Sequence, residues 1–132
     1  MEDKMEFKDL MPNLMVKDVG KTIGFYKDVL GFDVLQTVPE NDPFVFAIVN
    51  ANNVIISFQE EKSIKEEYPQ LEAFPQGGCL TLYIHVTDIK EYFEKVNGKA
   101  KIAKEMHDTP HGSKDFSVED CNGYILTFSQ QG

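Results

Sequence analysis

The sequence predicts an α+β protein made of two tandem β-α-β-β-β modules, and three observations predict it. A seven-residue pattern, Phe25-Tyr26-Lys27-Asp28-Val29-Leu30-Gly31, recurs as Tyr92-Phe93-Glu94-Lys95-Val96-Asn97-Gly98. Upstream of each copy a hydrophobic run closes on Val-x-Asp, at Val16-Lys17-Asp18 and Val86-Thr87-Asp88. Downstream of each lies a matching apolar run, Val54 to Gln59 and Tyr124 to Ser129, each led by a turn residue, Asn53 or Gly123. A repeat of this kind is one supersecondary unit that cannot bury its apolar face alone. The two copies must pack together, and the space between them is a candidate pocket.

The elements follow in order. Residues 9–17 alternate and read as a strand. Val19, Ile23, Tyr26 and Leu30 have helical spacing, and Gly31 is a stop signal. Strand-like runs follow at 32–38, 44–50 and 54–59, separated by Pro39-Glu-Asn-Asp-Pro43 and Asn50-Ala-Asn-Asn53. A charged connector, 61–78, carries Pro69, Pro75, Gly77 and Gly78, with a short helix expected over 64–71. The second copy predicts a strand at 80–86, a helix at 89–96, and strands at 100–106, 115–119 and 124–129. The segment His107-Asp-Thr-Pro-His-Gly112 reads as a turn between the first two of those three. The modules thus span about 9–60 and 79–130 of a single domain covering 1–132, a length that buries roughly two-thirds of the unfolded surface.

Composition excludes several classes. Net charge is −9, and all 13 basic residues are lysine. An acidic chain lacks the basic footprint that nucleic acid requires. Without arginine there is no planar bidentate clamp for carboxylate or phosphate, so a cationic or neutral ligand fits the field better. The same charge also serves solubility alone. Glu2, Asp3, Glu6 and Asp9 interrupt the first residues, so no secretory leader is expected. No apolar run approaches membrane-spanning length, and a cytoplasmic protein without membrane contact is expected. Cys79 and Cys121 make no zinc spacing; Cys79 reads as a small core residue and Cys121 as an unactivated thiol in a turn.

Strand parity then assigns faces. Leu10, Pro12, Leu14 and Val16 share one side of the first strand, as Leu80, Leu82, Ile84 and Val86 share one side of its repeat. With Ile56, Phe58, Leu126 and Phe128 they predict the side under the helices. The opposite side carries Asn13, Ser57 and Gln59 from the first copy. Thr81, Tyr83, His85, Thr127 and Ser129 come from the second. Uncharged hydrogen-bonding groups set among Met and Ile suit a ligand cavity; a half-polar sheet packed on its repeat or on a second subunit is the plainer alternative.

These residues resemble the vicinal oxygen chelate superfamily, which includes glyoxalase I, the bleomycin and fosfomycin resistance proteins and extradiol dioxygenases. The resemblance rests on Pro12-Asn-Leu-Met-Val-Lys-Asp18, on Phe25 to Phe32, on Gly112-Ser-Lys-Asp-Phe116 and on Asp120-Cys-Asn-Gly-Tyr124, together with the duplication. It implies an open, incomplete barrel and a homodimer. In metal-using members up to four ligands come from the first and last strands of each module, and those positions here are Met11, Ser57, Thr81 and Thr127. None is a good ligand for zinc, nickel, iron or manganese. No metal and no cofactor are therefore expected, and no catalytic residue is assigned beyond His85 as a candidate general base.

The expected function is that of a metal-free, bleomycin-resistance-like protein sequestering a cationic or neutral aromatic compound, in an antibiotic-resistance role. Its cavity residues are Met11, Asn13, Ser57, Gln59, Thr81, Tyr83, His85 and Thr127. Tyr83, Phe44, Phe46 and Phe116 are the stacking candidates, since the chain has no tryptophan. The alternative is a metal-dependent lyase or dioxygenase whose ligands have moved to a set drawn from His85, His107, His111 and Glu119. A third reading makes the acidic surface and the 60–76 segment a partner-binding module.

Overall fold

A computed structural model describes residues 4–132. Glu2 and Asp3, named above against a leader, lie outside the described residues with Met1. The chain runs β1 (Asn13–Val16), α1 (Val19–Asp28), β2 (Asp33–Val38), β3 (Phe46–Ala51) and β4 (Val54–Glu60). A connector holds α2 (Glu61–Glu67) and a 3-10 turn (Pro69–Leu71). The order then repeats as β5 (Thr81–His85), α3 (Ile89–Val96), β6 (Lys101–Asp108), β7 (Ser113–Glu119) and β8 (Ile125–Gln131). Two mixed four-stranded sheets result, ordered β1-β4-β3-β2 and β5-β8-β7-β6, with no closed barrel. In each, the first strand of the module pairs parallel with the last. Such pairing needs a long crossover, which the helix and the two antiparallel strands supply.

The repeated Val-x-Asp has two local outcomes. Asp18 caps α1, accepting from Lys21 N at 3.0 Å. Asp88 instead sits at φ 51° with no capping bond from its side chain, and Gln130 Oε1 accepts from Ile89 N at 2.9 Å in its place. α1 stops at Asp28, earlier than the apolar spacing to Leu30 predicts. Val29 N and Phe32 N close the end on Phe25 O and Tyr26 O at 2.9 Å each, with Gly31 at φ +84°.

The first strand is much shorter than the predicted 9–17. β1 pairs with β4 only from Asn13, opposite Ser57, because Pro12 has no N–H to donate, though its carbonyl accepts from Ser57 N at 2.9 Å. Leu10 is therefore 84% exposed and Leu80 43%, so neither joins the side under the helices as parity alone predicts. Cys79 is likewise exposed rather than core. The connector helix begins at Glu61, not 64, because Glu60 accepts from Ser63 N at 3.1 Å and starts it. His107 and Asp108 belong to β6 rather than to a turn, held by pairing with Asp115 and Lys114.

One core joins the modules. Tyr26, Phe58, Phe116 and Phe128 are fully buried within it, with tilted ring contacts linking Tyr26 to Phe58 and Phe116 to Phe128 at 4.8 and 5.3 Å. Polar clasps lock the modules together: Tyr26 Oη donates to Asp120 Oδ2 at 2.6 Å, and Tyr124 Oη to Met15 O at 2.6 Å. Asn122 Nδ2 donates to Thr22 Oγ1 and Tyr92 Oη to Leu30 O, at 2.8 and 2.7 Å.

The connector presses on the same turn. Gly77 has φ +78°, and a Cβ there would come within 2.9 Å of Asn122 O, a backbone atom that cannot step aside. Gly77→Ala is expected to cost about 1–3 kcal/mol from strain and displacement together, read as a lowered urea midpoint; an unchanged midpoint contradicts the close approach.

Burial pushes the Tyr92 phenol up to about 12. The folded state therefore holds that proton more tightly than the unfolded chain, whose value is 10.0. The stabilisation is complete below the unfolded value and is lost as pH rises from 10.0 to about 12. Tyr26 and Tyr124 are raised as well, both chiefly by burial, so the alkaline limb is shared. Tyr92→Phe should flatten part of it, as measured by urea midpoints across this range; an identical limb would show that Tyr92 does not contribute.

Candidate ligand-binding faces of the two sheets

The faces turned away from α1 and α3 carry the residues that sequence parity selects, with α2 bordering the first of them through Gln59. In the first sheet Asn13 lies in register with Ser57, and Ser57 with Ile48; the next row is Met15, Gln59 and Phe46. Its polar groups are tied to one another. Ser57 Oγ donates to Asn13 Oδ1 and Asn13 Nδ2 to Gln59 Oε1, both at 2.9 Å. Gln59 Nε2 donates on to Ser63 Oγ at 2.9 Å. Ser57 is fully buried and Met15 is buried as well, so this face offers the half-buried Ile48 and Phe46 as contact surface around a satisfied polar seam.

The second sheet is chemically richer. Tyr83 is in register with Thr127 and Thr127 with Ser117; His85, Ser129, Asp115 and His107 form the next row. Tyr83 Oη lies 2.9 Å from Asp115 Oδ2 and 2.9 Å from Ser129 Oγ. Ser113 Oγ donates to Asp115 Oδ1 at 2.8 Å. Tyr83 meets His85 edge-on with ring centroids 5.4 Å apart, and both side chains are exposed. Burial pushes the Asp115 carboxyl upward, but donors from Ser129, Ser113 and Tyr83, with His107 nearby, outweigh it and hold the group below its ordinary 3.8. The residue is only 5% exposed, yet it belongs to the helix-free face rather than the packed core, so hydrogen bonding decides the sign. An ionised carboxylate thus sits against an exposed phenol, in register with Ser129 on one side and the half-buried His107 on the other.

The four positions implied for metal ligands are not gathered into a donor set. Met11 precedes β1, and Thr81 is in register with Ile125 rather than with Thr127. The residues beside Ser57 and Thr127 are Asn13 and Tyr83, each two residues further along. A thioether, hydroxyls, an amide and a phenol do not fit the divalent ions used by this architecture. The displaced set fares no better: among the described residues no three His, Cys, Asp or Glu side chains could hold a metal. His107 Nδ1 contacts Glu105 O at 2.8 Å, His111 is exposed at a turn, and Glu119 pairs with Lys101 at 3.3 Å.

Phe116 is fully buried under α3 and is no stacking surface, a correction to its parity-blind selection; Phe44 packs half-buried against the core. Phe46 remains on the face turned away from α1. His85 reaches further than parity suggests, since it also lines a cavity of about 530 Å³ between the modules. Burial, with the Asp120 charge, pushes the Cys121 thiol up, in keeping with an unactivated residue. Sequence reasoning missed Asp115, Ser113 and Ser117. The signal was present, because Asp115 and Ser117 alternate with the core residues Phe116 and Val118.

The class of protein is fixed by this architecture together with its sequence: residues 10–128 match the model of the Glyoxalase/Bleomycin resistance protein/Dioxygenase superfamily, and the chain belongs to that superfamily. No curated protein matches the chain. Among solved structures, TioX from Micromonospora sp. ML1 is 21% identical over 96% of this chain and 100% of its own, with a TM-score of 0.77. A superfamily member from Sphaerobacter thermophilus is 16% identical over 97% and 100%, with a TM-score of 0.77. The bleomycin-binding protein of Streptomyces verticillus, solved with copper(II)-bleomycin, is 20% identical over 98% and 99%, with a TM-score of 0.66. These likenesses concern the fold.

Proposed function

We propose that this chain is a metal-independent binding protein, a cytoplasmic homodimer that sequesters a cationic or neutral aromatic compound on the faces of its sheets turned away from α1 and α3. One observation carries the reading: Asp115 is held ionised by Tyr83, Ser113 and Ser129 beside the exposed ring of Tyr83, which in turn meets the exposed ring of His85 edge-on. A carboxylate next to an aromatic face recognises a flat cation by charge and by ring contact together. The acidic net charge of −9 draws such a ligand in. The donor chemistry at Met11, Asn13, Ser57, Thr81, Tyr83 and Thr127 supports recognition without a Lewis acid. A resistance role of the kind named for the superfamily is consistent with sequestration.

A second subunit explains the apolar groups left open on these faces. Val38, Ile55 and Tyr83 are 43%, 40% and 48% exposed, and a partner covering them would complete the cavity walls.

Thermal unfolding in the presence of bleomycin-type and other cationic aromatic drugs tests the proposal. At least one is expected to raise the midpoint in a concentration-dependent way. No shift with any of them refutes it. Elemental analysis of protein purified from cells should give divalent metal well below stoichiometric; one nickel, zinc or iron per chain overturns the reading.

A further inference from the structure

The duplication is broken at the turn between the last two strands of each module, and a cavity lies beside the first module's turn. The β7–β8 turn, starting at Asp120, clasps α1 through Tyr26 and Thr22. Its counterpart is the β3–β4 turn, because Asn50 pairs with Ile55 as Glu119 pairs with Ile125. That turn holds Ala51 where its twin has Asp120, and it is one residue shorter. No clasp to α3 replaces the lost one among the described residues; Tyr92 Oη goes to Leu30 O instead. What remains is a space of about 530 Å³ bounded by both modules, within the range of small-molecule sites.

The walls are hydrocarbon and aromatic, from Leu30, Phe32, Val54, Ile84, Tyr92 and Phe128. Asn52, Asn53 and Thr87 supply neutral hydrogen-bonding groups, and His85 and Lys95 also line the space. Its electrostatics disfavour charge of either sign. Leu30 and Gly31 follow the C-terminal end of α1, and Lys95 stands in the last turn of α3, so two negative helix ends converge near it. With a net charge of −9, a carboxylate is repelled. An ammonium would meet Lys95 and leave water for an apolar wall.

We propose that this cavity between the modules is a second ligand site, which takes a small neutral compound with a hydrocarbon body and one hydrogen-bonding end placed among Asn52, Asn53 and Thr87. It shares only His85 with the sheet face described above, and it requires no second subunit.

A charge series of equal length tests this: 1-octanol, octanoate and octylammonium, titrated into the isotopically labelled full chain and followed by NMR. Octanol is expected to bind in the range of about 0.1–1 mM and at least about tenfold more tightly than either ion. Its nuclear Overhauser contacts should fall on Phe32, Val54, Ile84 and Tyr92, not on Phe46 or Tyr83. Ala51→Phe, or the milder Val54→Leu where the larger group prevents folding, should weaken octanol by about fivefold or more by occupying the space. The proposal is overturned if octanol does not bind, if either ion binds as well, if the contacts map to the sheet face, or if a folded filled variant binds octanol as the wild type does. Failure of cationic drugs to bind near Asp115 is a separate result, read on separate resonances.

Discussion

Asp120→Ala should destabilise the fold by about 3–5 kcal/mol, a large part of what a domain of this size possesses. Asp120 is 5% exposed and serves three donors at once. Oδ2 accepts from Tyr26 Oη at 2.6 Å, and Oδ1 accepts from Asn122 N and Tyr124 N at 2.8 and 2.9 Å. Truncation leaves a buried phenol and two backbone N–H groups without partners, and each orphan costs about 1–3 kcal/mol. Asp120→Asn should cost far less, about 1 kcal/mol, because its Oδ1 keeps the turn and its Nδ2 can donate to Tyr26 Oη. Urea unfolding of both variants checks the contrast; equal losses would mean that the carboxylate's geometry is not what holds the turn.

The same clasp ties the modules, so the loss should be cooperative rather than local. Tyr26→Phe removes one donor only, and its cost combined with that of Asp120→Ala should fall short of the sum by about 0.5–3 kcal/mol. Burial, and then the Asp120 charge, raises the Tyr26 phenol well above the ordinary 10.0, so it stays a donor across the working range of pH.

Repetition made the architecture readable, because period-two and helical spacing recur in the same order in both copies. The helix Ile89–Val96 agrees residue for residue with its prediction. The failures cluster where partners outside the local pattern decide. Alternation in Leu10 and Met11 continues past Pro12, where the pairing with β4 ends. Leu80 and Cys79 look apolar, but no element covers them. Parity found Asn13, Ser57, Tyr83 and His85, since it reads one strand at a time. In the predicted strand 115–119 Asp115 looks like an isolated surface charge until three strands converge on it. The cavity lined by His85 was beyond reach for a different reason: it arises from what one turn lacks relative to its twin, and only the packed pair of modules shows the gap.

Asp115→Asn is expected to weaken a cationic aromatic ligand by about 10- to 150-fold, the loss of a charge-assisted contact worth about 1.5–3 kcal/mol. A neutral compound of the same shape should lose much less, since Tyr83 and His85 keep their rings in place. The substitution preserves size and leaves an amide oxygen for Ser113 and Tyr83, so the fold should persist; its thermal midpoint verifies that. Acidity gives an independent readout. Because the folded carboxyl lies below 3.8, its stabilising effect is complete above the unfolded value and vanishes as pH falls through the folded one. Wild-type affinity for the cation should therefore hold to pH values near 4 and fall below them, whereas the Asn variant should show no such acid limb. If both forms bind cation and neutral analogue alike, Asp115 serves only to brace Tyr83, and the ligand is recognised by ring contact alone.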